Sequence, residues 1–84
     1  MPPEAQWTER AEQEMRRLSP PDAYRVRAGV RRFAETGHGD VRRLKGDDRA
    51  TVLRVGDWRI WFEYDEETGA VVVLHVRNRR EAYR

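Results

Sequence analysis

The residues best suited to chemistry in this 84-residue chain are arginines set beside aromatic rings. Between Thr51 and Tyr64, Arg54 and Arg59 flank the dipeptide Gly56-Asp57, and Trp61 follows close behind. The last eight residues, Arg77-Asn-Arg-Arg-Glu-Ala-Tyr-Arg84, hold four arginines, one acid and Tyr83. A guanidinium donates paired hydrogen bonds to anionic oxygens and stacks on ring faces, so such a set suits a phosphate-like anion. Of 17 basic residues only Lys45 is lysine; an arginine-rich genome explains that bias as well as function does, so position carries more than count. His38, in Gly37-His38-Gly39-Asp40, reads as a solvated loop residue, and His75 as a satisfied or half-exposed strand residue rather than a catalytic base. The chain has no cysteine, which removes disulfides and thiolate metal sites.

The hairpin that must position Arg54 and Arg59 follows from its turn. Gly56 in first place fits a two-residue type II′ connection, which sets Val55 opposite Trp58, Leu53 opposite Ile60 and Thr51 opposite Phe62. Alternation then gives one apolar face (Leu53, Val55, Trp58, Ile60, Phe62, Tyr64) and one face carrying Val52, Arg54, Arg59, Trp61 and Glu63. Arg54 falls directly opposite Arg59, an arrangement unfavourable by a few tenths to about 1 kcal/mol. Arg54 pairing with Glu63 or an acidic loop, and Arg59 pairing with Asp57, are alternatives that need no ligand.

Around this hairpin the remaining elements fall into place. Thr8 is suited to cap a helix over Glu9 to Leu18, in which Ala11, Met15 and Leu18 recur at helical spacing. Ser19-Pro20-Pro21 ends it and opens a second helix to about Thr36, with Ala23, Val26, Val30, Phe33 and Ala34 as its apolar stripe. Gly29 within that stripe points to close packing. Ala5-Gln-Trp7 is a candidate short edge strand, Val41 and Leu44 anchor the lead into the sheet, and Ala70 to Val76 is apolar on both faces, as a central strand is. On that last strand simple alternation puts His75 and Arg77 with Val71 and Val73. Helices followed by strands give an α+β fold, β-α-α-β-β-β, with a helical hairpin on one face of an antiparallel sheet and a single domain spanning residues 1–84. Apolar and charged residues each make up 38%, and no run approaches the roughly 20 apolar residues of a membrane span. The expectation is a cytoplasmic protein without a membrane partner.

Three segments in this order carry a resemblance: Val41-Arg-Arg-Leu-Lys-Gly46, Leu53-Arg-Val-Gly-Asp-Trp-Arg-Ile60 and Val76-Arg-Asn-Arg-Arg-Glu-Ala-Tyr-Arg84. Together they are similar to the lead-in, hairpin and ending of the RelE/ParE toxin superfamily of bacterial type II toxin–antitoxin systems. The superfamily holds RelE-like toxins, which cut mRNA in the ribosomal A site without metal, and ParE-like toxins, which inhibit DNA gyrase. The resemblance implies a metal-independent, cofactor-free endoribonuclease, with a cognate antitoxin and ribosome-bound mRNA as partners. It implies Arg54, Arg59, Arg79 and Tyr83 as the catalytic set, with Arg43, Lys45, Arg77 and Arg80 on the RNA backbone and Trp61 as a stacking platform. Tyr83 as an anchor for the C-terminus is the competing reading. Two positions depart from the RelE-like pattern: Val52, where a basic residue is common, and Asn78, where histidine is common. The alternatives are a gyrase inhibitor and a catalytically degenerate antitoxin-binding module.

Overall fold

A computed structural model of the protein describes residues 5–43 and 51–79. Two helix starts follow directly from capping residues. The Thr8 hydroxyl accepts the Ala11 N–H at 3.1 Å and opens α1, Glu9–Met15. The Ser19 hydroxyl accepts the Asp22 N–H at 3.4 Å and opens α2, Pro20–Thr36, with proline in its first turn. Each cap satisfies a donor that the helix itself cannot. α2 ends at Gly37, whose φ of 77° suits a residue without Cβ, while its N–H bonds the Phe33 carbonyl at 2.8 Å. α1 stops short of the expected Leu18, which lies beyond the helix and still packs partly buried against the core.

The strands are β1 (Gln6–Trp7), β2 (Asp40–Arg43), β3 (Thr51–Val55), β4 (Trp58–Tyr64) and β5 (Val71–Asn78). They form a five-stranded sheet in the order β1-β5-β4-β3-β2. The α+β architecture is the expected one, extended by β2 at one margin. β1 joins β5 in parallel, so the sheet is mixed, and β2 adds an antiparallel edge strand where the sequence suggested a lead-in. Asp40 therefore begins a strand rather than closing a loop. Val41, expected as an anchor, is 38% exposed, because β2 forms the outer margin of the sheet. Leu44 lies outside the described residues.

The β3–β4 register is the one that the turn dictates, from Val55↔Trp58 to Thr51↔Phe62. Gly56 has φ 58° and no other residue of the turn has positive φ, as a type II′ turn requires. Leu53, Ile60 and Phe62 pack with Val71, Val73 and Val76 of β5 beneath Ala11, Met15, Val26, Val30 and Phe33 of the helices. Phe33 meets Phe62 edge to face at 5.1 Å between centroids. At Gly29 a Cβ would lie 2.7 Å from Val55 Cγ2, so this glycine lets α2 close on β3. Tyr64 keeps its predicted parity and touches Phe62 at 5.5 Å, but it is 56% exposed near the end of β4.

One irregularity changes which side chains share a face. β4 pairs Phe62 with Val73 and Trp61 with His75, so Leu74 is an extra residue on β5, a β-bulge. Simple alternation had placed His75 and Arg77 with Val71 and Val73. The bulge reverses that parity: Val76 turns into the core, while His75 and Arg77 join Trp61 and Arg59 on the opposite face.

Candidate functional site

On the face away from the helices, the register aligns one residue from each strand into a transverse row. Asp40 pairs with Arg54, Arg54 with Arg59, and Arg59 with Arg77. With strands about 4.8 Å apart, three guanidinium-bearing residues stand within about 10 Å. A carboxylate closes each end. Asp40 Oδ2 lies 3.8 Å from Arg54 Nε, and Glu14 Oε2, from α1, lies 3.6 Å from Arg77 Nε. The Asp40 contact is too long for a hydrogen bond, and Arg54 Nε is buried without a hydrogen-bond partner. Two like-charged cross-strand pairs oppose folding by about 1 kcal/mol together, and surface ion pairs at the ends return a similar amount at most.

The face is less open than the sequence implied. Arg59, the centre of the row, is 7% exposed and is engaged rather than free. Val52, in the neighbouring row between Arg42 and Trp61, is 3% exposed. Their long-chained neighbours on both sides of the ladder account for this. Arg54 and Arg77 keep more exposure, with side chains 29% and 38% exposed. Arg42, Val52, Trp61 and His75 make that second row, so an indole and an imidazole lie beside the arginines. The suggested pairing of Arg54 with Glu63 is not the one observed; Asp40 takes that place.

Of the residues singled out from sequence, Arg54, Arg59, Trp61 and Arg77 come together. Arg79 follows at the turn end of the sheet, exposed, with its N–H bonded to the Asp57 carbonyl at 2.6 Å. Arg43 does not join them. It pairs with Thr51, hence lies on the helix-side face, and lines a depression with Tyr64 and the acidic 65–67 turn. Arg42 is the β2 arginine on the arginine face, and nothing in the sequence distinguished it until β2 was known to be a strand. Lys45, Arg80 and Tyr83 lie outside the described residues. Glu14, Asp40 and His75 are the further polar members of the site; the sequence read His75 as structural and gave the two acids no role here.

Among the described residues no cluster of three or more His, Cys, Asp or Glu side chains is arranged to hold a metal. No helix among them is long and apolar enough to cross a membrane. A groove of about 300 Å³ between β1 and α2, lined by Trp7, Val30 and Arg31, sits on the helix side, away from the arginine row. Within it Arg27 covers the Trp7 ring at 4.8 Å and pairs with Glu12 at 2.9 Å.

The fold recurs in solved toxin–antitoxin complexes. A RelB–RelE complex from Methanococcus jannaschii matches with a TM-score of 0.74 at 15% identity, covering 93% of this chain and 94% of that one. A RelE–RelB complex from Pyrococcus horikoshii OT3 gives 0.75 at 15% identity, covering 94% and 97%. The RelBE2 complex from Mycobacterium tuberculosis gives 0.63 at 26% identity, covering 94% and 100%. No curated protein matches the chain. The model of the family described as ParE toxin of the type II toxin–antitoxin system, parDE, matches residues 5–83. A match over nearly the whole length decides the family: this chain belongs to that family of type II toxin–antitoxin toxins, within the RelE/ParE superfamily.

Proposed function

We propose that this toxin cleaves mRNA on the ribosome, by attack of a ribose 2′-oxygen on the adjacent phosphate, and that a cognate antitoxin silences it. The observation that carries the reading is the row Arg54–Arg59–Arg77 beside Trp61, on a face that the helices leave uncovered. Attack builds a pentacoordinate phosphorane with extra negative charge on its equatorial oxygens. Fixed arginines answer that charge without reorganising, and one good donor of this kind is worth about 10²–10³ in rate. Arg54 and Arg59 are assigned to the non-bridging oxygens. Arg79 stabilises charge on the departing 5′-oxygen, since a guanidinium holds its proton and is a poor proton donor. Trp61 stacks on a base, typically worth about 1–3 kcal/mol. Arg42, Lys45, Arg77 and Arg80 are assigned to the RNA backbone, and Tyr83 to the catalytic set that the family resemblance implies.

The solved neighbours are complexes with RelB antitoxins, which supports a small antitoxin as partner here. Its expected mode is an extended or helical segment laid over the basic face. Val52, buried and apolar in a position often basic in RelE-like enzymes, departs from the ribonuclease pattern, and inhibition of DNA gyrase is the second reading. Expression without antitoxin, followed by mapping of mRNA ends on ribosomes, separates the two. New ends within codons, lost in Arg59→Ala and Tyr83→Phe, are the expected result. Growth arrest with inhibited supercoiling and no new ends overturns the ribonuclease reading.

A further inference from the structure

The β-bulge at Leu74 is tied to α1. Thr8 donates its N–H to the Val73 carbonyl at 3.1 Å and its hydroxyl to the Leu74 carbonyl at 3.3 Å. β1 ends at Trp7, opposite Val73, so beyond that point the edge of β5 faces α1 instead of a strand. Glu14 fills the position. Its Oε1 accepts the Val76 N–H at 3.1 Å and lies 3.5 Å from His75 Nδ1, while Oε2 lies 3.6 Å from Arg77 Nε. The Glu14 side chain is 19% exposed and that of His75 34%. His75 Nδ1 is itself buried and makes no hydrogen bond, so the Glu14 carboxylate acts on it through its charge at 3.5 Å. The ring nitrogen left to meet a ligand is therefore Nε2, on the face that carries Trp61 and, two residues along β4, Arg59.

Resting on the proposed ribonuclease reading, we propose that His75 is the proton acceptor for the 2′-hydroxyl, with Glu14 as its positioning residue. A carboxylate beside Nδ1 favours by its charge the tautomer that bears hydrogen there, which leaves the Nε2 lone pair free, and it stabilises the imidazolium once it forms. As the 2′-oxygen bonds to phosphorus its proton passes to Nε2. The bond from phosphorus to the 5′-oxygen breaks, and that oxygen leaves with a proton from solvent. The products are a 2′,3′-cyclic phosphate and a 5′-hydroxyl. Imidazole is the common proton acceptor of enzymes that work near neutral pH, so the His75 side chain suits the abstraction better than the phenol of Tyr83. The arginine row lies two residues along the strand from His75, about 7 Å, roughly one ribose-to-phosphate step from a base stacked on Trp61. A purely electrostatic role leaves the histidine without purpose, because Arg77 already supplies Glu14 with a cation and Val76 supplies a donor.

The charged groups facing His75 are Glu14 from α1, Arg59 from β4 and Arg77 on its own strand; Arg10 and Arg17 share a surface groove with Glu14. The test is single-turnover cleavage on programmed ribosomes from about pH 5 to 8, across the histidine range. The wild-type rate rises with pH to a plateau. His75→Gln lowers the plateau about 10²–10⁴-fold and abolishes the rise, with its melting temperature kept as the check on folding. Glu14→Gln retains an acceptor for the Val76 N–H but removes the charge that steadies the imidazolium, so the plateau rate falls while KM holds. Added imidazole restores His75→Ala. A His75→Gln protein that cuts within about threefold of wild type, with the same pH profile, overturns the proposal while the ribonuclease reading stands. A wild type that makes no cut overturns both. NMR of the His75 ring with a 2′-deoxy, uncleavable oligonucleotide adds a readout independent of turnover: a shifted titration supports the assignment, and an unmoved one overturns it.

Discussion

The two faces of the sheet are written by alternate residues of the same strands, yet they follow opposite rules. Beneath the helices, Leu53, Ile60 and Phe62 are each at most 2% exposed and pack in the apolar core. One residue along, Arg54, Arg59 and Arg77 stand side by side, a pattern that folding alone disfavours. The first face supplies stability and the second spends a little of it. Separate stability and activity measurements should therefore respond to separate sets of substitutions.

The largest expected effect is on the helix-covered face. Phe62→Ala removes the ring that contacts both Phe33 and Tyr64, and a buried phenylalanine truncated in this way costs about 3–5 kcal/mol. Against a total stability of about 5–15 kcal/mol, urea unfolding should show a domain near its limit. The matching change on the other face is Arg54→Thr. It gives up a weak contact with Asp40 and a like-charge neighbour at once, so stability should move by less than about 0.5 kcal/mol. Cleavage should nevertheless fall about 10²–10³-fold, and the salt dependence of RNA binding should lose about 0.7 from its log–log slope. An Arg54→Thr protein that unfolds like Phe62→Ala would break the comparison.

A smaller effect tests how closely the helices sit on the sheet. Gly29→Ala improves helix propensity by up to about 1 kcal/mol. The new Cβ, however, meets the stiff, branched Val55 side chain at 2.7 Å, and overpacking costs about 1–3 kcal/mol. We expect a net loss of about 1 kcal/mol in chemical denaturation, with ribosomal cleavage of the folded fraction unchanged. A gain in stability would show that α2 rides more loosely on β3 than the contact implies.

How much of this was legible in the sequence depends on how local the determinant is. The caps at Thr8 and Ser19 and the Gly56-Asp57 turn act over a few residues, and they gave both helix starts and the Arg54–Arg59 pair. β2 was missed because four residues, three of them charged, have no apolar rhythm of their own; only pairing with β3 makes them a strand. The bulge at Leu74 was hidden by a run of apolar residues that reads equally well in either parity, so His75 and Arg77 were assigned to the wrong face. Glu14 entered the site through a contact 62 residues away along the chain, with Val76, which no spacing rule reaches.

The smallest effect concerns the turn that joins β4 to β5 and so keeps both faces in register. The Asp65 carboxylate accepts the N–H groups of Glu67 at 2.8 Å and Thr68 at 3.1 Å. The Thr68 backbone bond first, then that of Glu67, holds its pKa below the ordinary 3.8 by favouring the ionised form. With the folded pKa depressed, the contribution is fully present above about 3.8 and is lost as pH falls through the lower folded value. Acid unfolding curves of wild type should therefore steepen in that window relative to Asp65→Asn, whose amide cannot titrate. At neutral pH the two proteins should cut RNA equally well. Asp65 follows the Tyr64 end of β4 and the arginine row crosses at Arg59, about 17 Å away along the strand. Unequal cutting at neutral pH would mean that the turn shifts the β4–β5 register as far as the bulge, coupling the two faces that the alternation keeps apart.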